Sequence, residues 1–98
     1  SDKPETLARL NSQGLPEAWV LQVASFKHQA NANSLKDKLL AKDFPAYVKV
    51  FNLPEGKVYR VLLGPKLSKE KAKTMAKSVE KTFSIKTMLM AYQAGFAQ

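Results

Sequence analysis

The sequence predicts an α+β domain in which two helices cover one face of a four-stranded antiparallel sheet, in the order β-α-β-β-α-β. Three observations predict it. Apolar residues alternate with a period of two in three segments, they recur at spacings of three and four in two others, and the first half of the pattern returns forty residues later.

Residues 1–18 contain Pro4, Gly14 and Pro16 without sustained periodicity, and read as a tether with one short helical turn around Leu7 to Leu10. The domain begins at Trp19. There Trp19, Leu21 and Val23 alternate with Val20, Gln22 and Ala24, the mark of a strand with one buried face, which ends at Ser25 and Phe26. Ala32, Leu35 and Leu39 then define an amphipathic helix over 29–42, stopped by Asp43-Phe44-Pro45. Ala46, Val48 and Val50 alternate with Tyr47, Lys49 and Phe51 as a second strand, and Pro54-Glu55-Gly56 supplies a turn into a third strand, Val58 to Leu63. Gly64-Pro65 is expected to break that strand. Ser68 can cap a second helix with the apolar stripe Ala72, Met75, Ala76, Val79 and Phe83, and a last strand over 87–92 precedes a tail over 93–98.

The internal repeat orders these elements in space. Adding forty to Trp19, Leu21, Val23, Leu35 and Leu39 lands on Tyr59, Val61, Leu63, Met75 and Val79, apolar or aromatic in every case. Two copies of a βαβ unit give the split, ferredoxin-like (RNP-like) arrangement, with strands one and three adjacent at the centre of the sheet. If Trp19, Leu21, Val23, Tyr59, Val61 and Leu63 face the helices, alternation puts Val20, Gln22, Val58, Arg60 and Leu62 on the other face. That mixed row is either a binding surface or the ordinary wet side of an antiparallel sheet. Arg60 has the clearest placement, because turning it inward would bury its charge.

Composition narrows the functions. Hydrophobic residues make up 45% and charged residues 24% of the 98, as expected for one globular domain. No apolar run approaches the roughly 18–20 residues that cross a bilayer, so a membrane connection would require an anchor N-terminal to this sequence. There is no cysteine, which removes thiolate chemistry, and His28, beside Lys27 with no nearby acid, fits a surface histidine better than a general base or metal ligand. No catalytic constellation, phosphate-binding loop, metal site or cofactor site can be assembled, and a non-catalytic binding module is expected.

Sixteen basic against eight acidic residues give a net charge of +8, which favours an anionic partner. Lys66, Lys69, Lys71, Lys73, Lys77, Lys81 and Lys86 cluster around the second helix, as a solvated face or as an anion-binding one. RNA binding is the obvious rival on this fold. An RNA-recognition motif stacks bases on aromatic residues of its two central strands, however, and the corresponding positions here hold Val20, Gln22, Val58, Arg60 and Leu62.

The segment Trp19-Val20-Leu21-Gln22-Val23-Ala24-Ser25-Phe26 resembles the W-V-V-Q-x-G-S-F opening of SPOR domains, with Asn31-Ala32 in the place of their Asn-Ala pair. Phe44-Pro45-Ala46-Tyr47-Val48 and Tyr59-Arg60-Val61-Leu62-Leu63-Gly64-Pro65 are similar to that family's GFPAYV and YRVxVGP. The resemblance covers residues 19–90, and Met88-Leu89-Met90-Ala91-Tyr92 is most similar to the DedD type of cell-division protein. Ala24 departs from the usual Gly, which puts the local bulge geometry in question, and Val58 replaces an aromatic found in some members.

The resemblance implies binding to peptidoglycan glycan strands stripped of their stem peptides, in the periplasm at the division septum. It implies a monomer held by an anchor outside this sequence, with other divisome proteins as further partners. Gln22, Ser25, Val58 and Arg60, with Met88 from the last strand, take the ligand positions. Arg60 would pair with the lactyl carboxylate that peptide removal exposes. Gln22 and Ser25 would serve acetamido and hydroxyl groups, and Val58, Leu62 and Met88 would offer flat surface to sugar rings. Ser25 could equally end the strand and Met88 equally join the core. Two other uses remain open: a protein-interaction module working through the same face, and the targeting domain of a cell-wall hydrolase. Upstream sequence separates them, a membrane helix marking the division protein and a hydrolase domain marking the last.

Overall fold

The period-two segments form strands and the stripes form helices, in the expected order: β1 (Trp19–Phe26), α1 (Gln29–Ala41), β2 (Ala46–Leu53), β3 (Gly56–Lys66), α2 (Lys69–Phe83) and β4 (Met88–Ala91). The computed structural model describes residues 17–92, and the expected tether over 1–16 and tail over 93–98 lie outside them. All pairings are antiparallel and the sheet order is β2-β3-β1-β4, which puts β3 and β1 at the centre. Among the described residues no helix is long and apolar enough to cross a membrane.

One face of the sheet closes against the helices. Leu21, Val23, Val61 and Leu63 from the central strands meet Ala32 and Leu39 of α1 and Met75 and Val79 of α2, with Tyr59, Phe26, Leu35 and Phe83 packed around them. Phe44 and Phe83 close one end edge to face, their centroids 6.2 Å apart. Ser68 caps α2 by accepting from the Lys71 N–H at 3.1 Å, and Lys69 lays its ammonium 4.9 Å from the Trp19 ring centroid. At the far end of α2, a Glu80 carboxylate oxygen accepts from both the N–H and the hydroxyl of Thr87 at 2.8 Å. The hydroxyl first and the N–H second hold that carboxyl below its ordinary pKa, and the pair fixes where β4 starts.

Gly64-Pro65 does not break β3, which runs on to Lys66. Trp19 pairs with Lys66 and Leu21 with Leu63, so β3 carries an extra residue there, absorbed as a bulge around the cis Gly64-Pro65 bond. Gly64 sits at φ 116° and donates to the Pro45 carbonyl at 3.0 Å. The ladder survives the proline because the bulge places it where no partner needs its missing N–H.

Candidate functional site

Residues directly opposite in adjacent strands share a face, so the register reads out the side away from the helices row by row. One row runs Lys49 (β2), Arg60 (β3), Ser25 (β1); the next runs Tyr47, Leu62, Gln22 and Met88; Phe51 and Val58 flank the first row toward the β2–β3 turn. Cationic and hydroxyl groups therefore line up across three strands, between two rows richer in apolar groups.

Arg60 is the centre of this surface. Its guanidinium carbon lies 4.3 Å from the Phe51 ring centroid, a cation–π stack that holds the side chain flat on the sheet. Its Nε is buried without an acceptor among the described residues. Leaving a buried donor unsatisfied costs about 1–3 kcal/mol, more for a charged group, so this arginine is held poised at a cost that an incoming acceptor can relieve.

Ser25 reaches the face through a second bulge. Gln22 pairs with Leu62 and Ala24 with Val61, so β1 carries an extra residue at Val23. Strict alternation from Trp19 would turn Ser25 toward the helices and Phe26 away. The bulge reverses both, setting Ser25 opposite Arg60 and packing Phe26 against the core. Ala24 takes its place in this bulge without a positive φ, so the usual glycine is dispensable here. Met88 pairs with Gln22, which places it on the same face, 57% exposed. Gln22 and Val58 are half-buried there.

Leu62 needs correcting. It lies on this face as expected but is 0% exposed, as is Val20, so it forms the floor of the site and offers no surface to a sugar. It sits in a central strand, flanked by Tyr47 and Gln22 across both ladders. Leu62→Ala should therefore lose about 2–5 kcal/mol of stability by cavity formation, measured by denaturant unfolding, and weaken ligand binding only through that loss.

Lys49, Phe51 and Tyr47 were not among the expected site residues. The signal for them was in the alternation of β2, which becomes informative once β2 is known to flank β3 and Ala46 and Val48 to pack inward. The Tyr47 hydroxyl is buried without a partner. Burial, and secondarily Tyr92, push its pKa above the ordinary phenol range, so it stays a neutral donor. The aromatics do not make a base-stacking platform: both belong to an edge strand, and Arg60 already occupies one face of Phe51.

The SPOR domain family model matches residues 15–85. The chain belongs to the SPOR domain family. Three solved structures accompany that match. The SPOR domain of RlpA from Pseudomonas aeruginosa is 25% identical at a TM-score of 0.66, covering 74% of this chain and 96% of its own. The peptidoglycan binding domain of the B. subtilis cell wall lytic enzyme CwlC is 28% identical at 0.64, covering 86% and 100%. The Spor protein DedD is 25% identical at 0.62, covering 94% of this chain and 49% of that one. No curated protein matches the chain. The SPOR fold thus accounts for the whole described sheet and both helices, and its face away from the helices carries Arg60 and Tyr47, whose Nε and hydroxyl are buried without a partner among the described residues.

Proposed function

We propose that this SPOR domain binds peptidoglycan through the sheet face away from its helices, without catalysis, and that it selects glycan strands whose stem peptides have been removed. One observation carries the reading: Arg60, stacked on Phe51 at the centre of that face, with a buried Nε that no group among the described residues satisfies. Cleaving a stem peptide from muramic acid leaves a lactyl carboxylate, the planar anion an arginine fork fits best. Gln22 and Ser25, on the same face, would serve acetamido and hydroxyl groups, and Met88 and Val58 would lie beside sugar rings. The similarity to a domain described as peptidoglycan binding supports the ligand class. Such strands are enriched where amidases act, so the domain would hold the protein that carries it at the division septum, in the periplasm.

Pulldown with sacculi tests this. Amidase-treated sacculi should retain the domain several-fold better than untreated ones, because intact stem peptides both obstruct approach to the sheet face and tie up the carboxylate. Equal retention on both would rule out selection for stripped strands. A second reading, targeting of a cell-wall lytic enzyme, is favoured by the similarity to the CwlC domain, and it uses the same surface and ligand.

A further inference from the structure

We infer that the centre of the sheet face is a two-cation receptor for a single carboxylate, with Lys49 as the second arm beside Arg60. The domain then reads the charge of the exposed lactyl group as well as the absence of a peptide. This rests on the glycan reading above.

Lys49 lies directly opposite Arg60 in the β2–β3 ladder. Opposed residues stand with Cβ atoms about 4.5–5.5 Å apart, and like charges in that position destabilise a sheet. Nothing in the described protein relieves them. The ion pair formed there joins Lys36 to Asp37 on α1. The other described acids lie away from this row: Glu17 precedes β1, Asp43 follows α1, Glu55 sits in the hairpin turn, and Glu70 and Glu80 belong to α2. Arg60 cannot swing clear, because Phe51 holds its guanidinium.

The row Lys49, Arg60, Ser25 is thus rich in donors and contains no acceptor except the serine hydroxyl, with the three strands spaced by about 4.8 Å. A carboxylate lodged between Lys49 and Arg60 neutralises both and offers lone pairs to every donor. A carboxamide in the same place carries no charge and brings N–H donors into a ring of donors. The arrangement therefore rejects glycan whose lactyl carboxyl is capped as an amide, even when no peptide is attached.

The experiment compares stripped glycan strands with the same strands after their carboxyl groups are converted to methylamides by carbodiimide coupling. Wild type should prefer the native strands by about tenfold or more, the usual value of a charge-assisted contact. Lys49→Gln should shrink that preference several-fold without lowering Tm, and Lys49→Arg should keep it. Equal binding of wild type to both strands overturns the receptor and leaves the glycan reading standing. If neither strand binds, the glycan reading falls, and the receptor is judged alone by titrating N-acetylmuramic acid and its methylamide while following the Arg60 Nε–H resonance. A shift with the acid only, reduced in Lys49→Gln, supports it; no shift overturns it.

Discussion

Arg60→Ala is expected to abolish binding to stripped glycan while leaving the domain folded, and Tyr59→Ala to do the reverse. The two residues are neighbours in β3 and face opposite ways. Arg60 carries one intramolecular contact of note, the stack on Phe51, worth about 0.5–1 kcal/mol at a partly exposed site. Its removal also ends the opposition to Lys49 and the orphaned Nε, so the net change in stability should stay within about 1 kcal/mol. Tyr59 packs against the core formed by both helices, and truncating it should cost about 3 kcal/mol. For a domain of this size that lowers Tm by about 12 °C or more. Thermal melts and sacculus binding on both variants decide. A folded Tyr59→Ala protein that fails to bind, beside an Arg60→Ala protein that melts early, would invert the faces.

Gly64→Ala should be among the most damaging single-methyl additions in the domain. At φ 116° the backbone occupies a region that side chains rarely adopt, which costs about 1–3 kcal/mol. The added Cβ would also stand 3.0 Å from the Trp19 carbonyl oxygen and 3.3 Å from the Lys66 nitrogen. Both are backbone atoms in paired strands and neither can rotate aside, so a total loss of about 3 kcal/mol or more is expected, read from denaturant unfolding. Gly56→Ala is the control. Gly56 has φ 131° but nothing within 4 Å of the added atom, so it should show the backbone cost alone. Equal losses in the two would mean that the bulge yields to the methyl group.

The sequence made the helices readable because their signals are local, and the sheet order readable because the forty-residue repeat relates the two βαβ halves. The α2 stripe, Ala72, Met75, Val79 and Phe83, marks one side of one helix whatever surrounds it, and it packs as expected. Face could be read in the same way, but depth could not. Alternation put Leu62 and Val20 on the side away from the helices, yet both are fully buried, because burial depends on neighbours supplied by other strands. Lys49 and Phe51 became site residues only when β2 was found beside β3. Met88 needed its pairing with Gln22 before its side was known. Ser25 was placed by family resemblance alone, since period-two reasoning sends it the other way.

The bulge at Val23 makes β1 two short strands in series whose phases differ by one residue. Upstream of it, odd positions such as Leu21 face the helices; downstream, even positions such as Phe26 do. Gln22 and Ser25, which share the face away from the helices, are therefore an odd number of residues apart, a spacing that no regular strand can present on one side. Deleting Val23 would restore a continuous phase and leave Ser25 opposite Arg60 and Phe26 opposite Tyr59, losing the Val23 side chain from the core. Straightening the strand with every residue retained would instead turn Ser25 toward the helices and Phe26 out onto the face of Arg60, so this one inserted residue couples the chemistry of the surface to the packing beneath it.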